Sequence, residues 1–115
     1  MPRCNVQPSL LSGCYAWRGD GFDGDARVAA VGYFFFSGTS VLGGYTGTHN
    51  GNPVVRTIQS GTVSGPDVNG FGHIHFVDNA SSSEDLDFVM ANGGTELYLV
   101  HKRQNTAATY VARKV

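Results

Sequence analysis

Five side chains in this sequence can move a proton or polarise an oxygen, and turn signals place them near strand ends: Arg18, Tyr45, His49, Arg56 and His101. Tyr45 and His49 are four residues apart, an even interval, so they share one face of an extended strand. Asn50-Gly51-Asn52 is the strongest hairpin signal in the chain, and it folds Arg56 back across from them. An imidazole titrates near neutrality, and a phenol or guanidinium can polarise a carbonyl or epoxide oxygen. Converging on a cavity mouth, these groups would perform acid–base catalysis on a small molecule. As hairpin-end residues in water they would do nothing, so burial decides between the two.

Other constellations carry less. His73 and His75 lie on one face of a strand, as two metal ligands would. Gly72, Ile74 and Phe76 make the better core-facing set, however, and Glu84 comes too late for the carboxylate of a cupin-type site. Both histidines are expected to face outward, with no metal held. Arg18-Gly19-Asp20 spells an integrin-type tripeptide that three residues reach easily by chance, and Asp20, Asp23 and Asp25 read as solubilising loop residues without calcium-loop spacing. The chain has no phosphate-binding loop, nucleophile elbow, paired CxxC or HExxH, so hydrolase, kinase, redox and zincin chemistry lack a motif.

The elements that must position the five residues are short and extended. Glycine supplies 16 of 115 residues and charged residues only 15%, which favours turn-rich β structure over helical bundles. Apolar segments cut by Gly, Asn, Asp, Ser and Pro run from Ser12 to Trp17, Arg27 to Phe36, Val41 to His49, Val54 to Val63, Val68 to Val77, Asp85 to Met90, Thr95 to Lys102 and Ala107 to Lys114. The stretch from Gly19 to Asp25 is expected as an exposed loop. About eight antiparallel strands joined by local turns predict an all-β, eight-stranded, antiparallel up-and-down barrel, since closure removes exposed edges; a sandwich is the second choice. The chain is expected to form a single β-barrel domain over residues 1–115, with 1–11 as a leader segment.

An eight-stranded barrel can hold side chains or one small ligand. Phe34, Phe36, Leu86, Phe88 and Leu97 are the expected apolar lining of such a cavity. Leu97 and Leu99 have the stronger claim to the interior of their strand, which leaves Glu96 and Tyr98 outside. The second strand is apolar on both faces, with Val28, Ala30, Gly32, Phe34 and Phe36 on one and Ala29, Val31, Tyr33 and Phe35 on the other. An outer apolar face predicts cover by another subunit, and hence a homo-oligomer.

A net charge of −1 offers no basic field, so nucleic acid is not an expected partner. No apolar run approaches the ~20 residues of a membrane helix, so no transmembrane segment is expected. The opening residues, as written, show no secretory signal, and compartment stays open. Cys4 and Cys14 would form one disulfide in an oxidising compartment or stay as thiols in a reducing one.

Leu11-Ser-Gly-Cys-Tyr-Ala-Trp-Arg-Gly-Asp-Gly-Phe, then Gly-Tyr-Phe-Phe-Phe-Ser-Gly-Thr-Ser-Val-Leu-Gly-Gly-Tyr-Thr, then Glu-Leu-Tyr-Leu-Val and Ala-Thr-Tyr-Val-Ala-Arg-Lys follow one another in an order that resembles the allene oxide cyclase-like barrels. That resemblance implies a small calycin-like barrel with an apolar cavity, often oligomeric. It also implies a cofactor-free isomerase or cyclase acting on an epoxide, fatty-acid or polyketide-type molecule, with a non-catalytic binding barrel or a filled structural barrel as alternatives. The plant cyclases read Tyr-Glu-x-Asn on their first strand. Aligned on Tyr15, this chain has Ala16 and Arg18 there, so the catalytic carboxylate of those enzymes has no counterpart.

Overall fold

The computed structural model describes residues 11–115, and they form an all-β, eight-stranded antiparallel barrel. The strands are β1 (Gly13–Asp23), β2 (Ala26–Ser37), β3 (Ser40–His49), β4 (Asn52–Ser64), β5 (Phe71–Asp78), β6 (Ser83–Ala91), β7 (Glu96–His101) and β8 (Thr106–Lys114). Each pairs with its sequence neighbours, and β8 returns to β1 to close the sheet. Up-and-down order therefore leaves no unpaired edge. Between β6 and β7 the chain makes one short 3-10 turn at Asn92–Gly94. Among the described residues no helix is long and apolar enough to cross a membrane.

The Asn50-Gly51 hairpin forms as its sequence predicts. Asn50 and Gly51 have φ of 51° and 81°, and His49 pairs with Asn52. Two positive φ values in a two-residue loop give a turn whose twist matches the strands it joins.

Two boundaries depart from expectation. The Gly19–Asp25 stretch is mostly strand, since β1 continues to Asp23. Its glycines are what allow this. A Cβ on Gly21 would lie 2.0 Å from the carbonyl oxygen of Ala107, so only a bare backbone lets β1 approach β8 this closely. Conversely, Val68 lies in a turn before β5: the Asp67 carboxylate accepts from the backbone N–H of Asn69 at 2.8 Å and of Phe71 at 3.1 Å, holding the chain back from extension.

Strand alternation divides the barrel into a filled end and an open end. At the filled end Tyr15, Phe36, Val41, Ile74, Phe88 and Leu97 are buried almost completely. Tyr15 meets Phe36 edge to face, 5.4 Å between ring centres, and its hydroxyl donates to the Gly94 carbonyl. Full burial of each such side chain stabilises the fold by about 2 kcal/mol. Towards the other end the inward positions shrink to Ala30 and Gly47, and a void remains between the strands. Side-chain volume, sorted along each strand, thus seals one end and leaves the other hollow.

The outer surface is apolar where the sequence suggested. Val31, Tyr33 and Phe35 of β2 are 54%, 52% and 42% exposed, and Leu42 lies beside Phe35 on β3. Cys14 is exposed on β1, while Cys4 lies outside the described residues. Ile74 and Phe76 face the core and His73 and His75 face out, as the pattern of β5 required. His73 contacts Asp87 at 2.7 Å and Asp85 at 2.9 Å, and His75 contacts Asp85 at 2.9 Å. The Asp87 contact, helped by Asp85 and opposed by partial burial, raises the His73 pKa above its ordinary 6.5. A raised histidine stabilises the fold fully below about pH 6.5 and loses that contribution as pH climbs through the folded value. Thermal melts at pH 5.5 and pH 8.5 are therefore expected to lie closer together for His73→Gln than for the unaltered protein.

Candidate functional site

The void at the open end has a volume of about 420 Å³, within the range of small-molecule sites. Its wall is built from inward residues of all eight strands. Aromatic rings dominate it: Trp17 stacks on Phe34 at 5.4 Å and meets Tyr110 edge-on at 5.3 Å, and Tyr45 lies 6.2 Å from Phe76. Leu86 and Leu99 complete the apolar part. A larger concavity of about 1030 Å³ lies on the outer wall, lined by residues such as Val31, Thr46, Val100 and Thr109. It is a shallow groove open to solvent, whereas most of the chemistry-bearing side chains gather in the inner void.

Four of the five residues singled out from the sequence, Tyr45, His49, Arg56 and His101, border this cavity. Arg18 does not. It pairs with Val31 and Val111 on the outward side of the wall and lines the outer groove, because β1 continues straight through it and alternation points it away from Trp17. Of the expected apolar lining, Phe34 and Leu86 border the cavity. Phe36, Phe88 and Leu97 are correctly inward yet lie in the filled end, where they pack as core.

Polar groups circle the mouth in three linked sets. Asp78, 1% exposed, accepts the Tyr45 hydroxyl at 2.8 Å on Oδ2, and the backbone N–H groups of Ala80 and Ser82 at 2.9 and 3.0 Å on Oδ1. Arg56 Nε lies 4.0 Å from the same carboxylate. Burial alone would raise the Asp78 carboxyl, but these donors and the Arg56 charge outweigh it and hold it below the usual carboxylate value. Tyr45 is driven the other way, upward, by burial and then by its bond to Asp78. It stays a protonated donor at any ordinary pH.

The second set is Glu84, His101 and Arg103. His101 Nε2 and Glu84 Oε2 are in contact, both side chains being close to nine-tenths buried. The contact is close yet off the hydrogen-bond axis, so neither atom has a well-aligned partner among the described residues. Glu84 Oε1 also accepts from Ser82 Oγ at 3.2 Å and Arg103 at 3.3 Å. The third set is exposed at the rim, where His49 meets Asp23 at 3.1 Å and Thr106 donates to the other Asp23 oxygen at 3.2 Å. The His49 contact, chiefly, keeps Asp23 below its ordinary pKa.

Trp17, Asp78, Glu84, Arg103 and Tyr110 escaped the sequence reading. Glu84 was legible in principle, since it has the parity of Leu86 and Phe88, which the strand pattern turns inward. Asp78 to Glu84 falls between the apolar segments that end at Val77 and begin at Asp85, and between segments parity carries no meaning. Tyr110 likewise shares the inward face of β8 with Ala108 and Ala112, and burial pushes its pKa up to about 12.

Glu96 stands on the outer face, as expected, but is only 7% exposed because Tyr98 and Arg113 cover it. Among the described residues no three His, Cys, Asp or Glu side chains come together in a geometry that could hold a metal ion.

The arrangement can do two things chemically: enclose a small apolar molecule against aromatic rings, and exchange a proton through the buried imidazole–carboxylate pair. No family model matches the chain, and no curated protein sequence matches it. The described residues form an eight-stranded antiparallel closed barrel with a cavity able to take a small hydrophobic molecule.

Proposed function

We propose that this barrel is an isomerase or cyclase that encloses an apolar, oxygen-bearing small molecule and moves a proton on it. The observation that carries the reading is the Glu84–His101 contact, buried and on the wall of the cavity. A side-chain adjustment that brings Nε2–H onto the Glu84 axis would leave the other ring nitrogen as the lone pair that accepts a proton, with the carboxylate beside it to stabilise the imidazolium so formed. Tyr45 and Arg56 supply polarising donors, and His49 at the rim links the site to water. Resemblance to the allene oxide cyclase-like barrels supports the same reading through fold and cavity, without their first-strand carboxylate.

The test is solvent deuterium exchange into 1-tetralone, a compact apolar ketone with exchangeable α-protons. Nuclear magnetic resonance in D₂O is expected to show the protein accelerating exchange well above buffer and above a boiled sample. Binding with no acceleration would leave a carrier, the second reading that the same cavity favours. A ligand screen giving no thermal shift with any apolar compound would remove both.

The outer face of β2 belongs to the same reading, since relatives implied by the resemblance are often oligomeric. Ala16, Tyr33, Phe35 and Leu42 adjoin in register and carry no charge, and the one cation beside them, Arg18, stands at their margin opposite Val31, so a second copy can be laid on the uncharged part. Sedimentation at micromolar concentration is expected to show an oligomer that Tyr33→Asp or Phe35→Asp reduces to monomer. A monomeric unaltered protein would end this part of the reading.

A further inference from the structure

The hydrogen-bonding capacity of the cavity is lopsided. Its carboxylates are Asp23, Asp78 and Glu84, and most of their oxygens are engaged within the protein: His49 and Thr106 contact Asp23; Tyr45, Ala80 and Ser82 donate to Asp78; Ser82 and Arg103 donate to Glu84 Oε1, while Glu84 Oε2 touches His101 Nε2 without an aligned hydrogen bond. Among the described residues, Glu84 Oε2, pressed against the His101 ring, is the one carboxylate oxygen of the cavity without an aligned donor.

Donors, by contrast, are in surplus. Trp17 is 8% exposed, and its Nε1–H has no partner among the described residues. Arg56 directs Nη1 to the Val55 carbonyl at 2.9 Å and meets Asp78 only at 4.0 Å, while Arg103 makes one 3.3 Å bond. Each guanidinium carries five N–H groups, so most remain open. An indole N–H buried without an acceptor loses its hydration for nothing, a deficit a guest oxygen would repair.

Charge narrows the guest further. Both phenols in the wall feel the carboxylates: Tyr45 is raised by burial, then by Asp78 and Glu84, and Tyr110 by burial, then by Glu84 and Asp20. The burial that leads both shifts also penalises a charged guest, a carboxylate included, through its lost hydration. A guest ammonium fares no better, because it brings three donors where a single carboxylate oxygen, itself against the His101 ring, lacks an aligned partner.

We propose that the ligand of this cavity is an uncharged carbonyl compound of ketone, quinone or lactone type, whose oxygen is received by the Trp17 indole N–H. This rests on the enclosing reading above and adds the chemical class. Carboxylates of fatty-acid type and amines of the same shape are excluded from the high-affinity set. Trp17 Nε1 sits within the wall, so the guest oxygen reaches it by side-chain adjustment of the kind binding sites commonly make.

Four bicyclic probes of one shape separate the possibilities: 1-tetralone, tetralin, 2-aminotetralin and tetralin-2-carboxylate. Calorimetric titration of the unaltered protein is expected to give 1-tetralone the lowest Kd, roughly tenfold below tetralin, with the amine and the acid weaker still. The sequence contains one tryptophan, so its indole proton gives a single resonance in an ¹⁵N-correlated spectrum. That resonance is expected to move downfield with 1-tetralone and to stay or move upfield with tetralin. Equal affinity for tetralin, tighter binding of the amine or the acid, or an indole proton unmoved by the ketone would each overturn the proposal while leaving the enclosing barrel in place. Failure of all four to bind would overturn the enclosing reading as well. The experiment needs no variant, so folding cannot confuse it.

Discussion

Phe36→Ala is expected to destabilise the barrel by about 4 kcal/mol, lowering its melting temperature by roughly 15 °C, and to leave the affinity for 1-tetralone within about twofold. Phe36 is 1% exposed and packs edge to face on Tyr15 in the filled end. Truncating it removes a large buried surface and leaves a gap that strands paired on both sides cannot collapse to fill. Phe34 is its neighbour by sheet alternation, two residues earlier on β2, yet it stacks on Trp17 and faces the void. Phe34→Ala is therefore expected to cost less stability and to weaken the ketone severalfold, since the ring it removes borders space that is already empty. Calorimetry gives affinity and scanning calorimetry gives stability on the same samples. If Phe36→Ala weakened binding as much as Phe34→Ala, the void would extend into the filled end.

That contrast shows what the sequence could and could not say. Alternation placed Phe34, Phe36, Leu86, Phe88 and Leu97 on the inward face, and all five are inward, because a period of two is fixed by the pleat. Depth along the barrel axis is another matter. It depends on how each strand is staggered against its neighbours, and stagger comes from cross-strand register, which no single strand records. Phe34 and Phe36 have the same parity and the same chemistry, yet one meets a void and the other a packed core.

The closed eight-stranded topology was legible because strand spacing, turn residues and edge avoidance all pointed the same way. Errors came where glycine was read as a loop signal. Gly19 and Gly21 are strand residues whose missing side chains admit β8, and taking them for a loop removed the continuous alternation that sends Arg18 outward. A chain-local reading sees glycine's freedom. It cannot see the neighbouring backbone, 2.0 Å from the Cβ that Gly21 lacks. The same limit hid Glu84: beside Ser82 and Ser83 it reads as the end of a polar turn, and only its pairing with Phe76 shows it to be the first inward position of β6.

Glu84→Gln is expected to slow protein-catalysed deuteration of 1-tetralone by about 10²-fold or more while leaving its Kd within about threefold. The amide keeps the size of the carboxylate but cannot balance an imidazolium at His101, so the site loses the charge that makes the histidine a useful base. Asp78 does not replace it, because both its oxygens are committed to Tyr45 and to the turn at Ala80 and Ser82. His101→Phe should have a similar effect, and the two changes together should cost little more than either alone, since they disable one proton-transfer unit. His49→Ala tests the rim histidine in the same assay. A loss of about 10²-fold there, with Glu84→Gln unaffected, would move the base to His49 and its Asp23 partner. If the Glu84 and His101 losses multiplied, the two residues would act separately and the dyad would be wrong. Tyr98→Phe, on the outer face beside Glu96, is the control that should change neither rate nor affinity, because the wall between it and the cavity is the barrel itself.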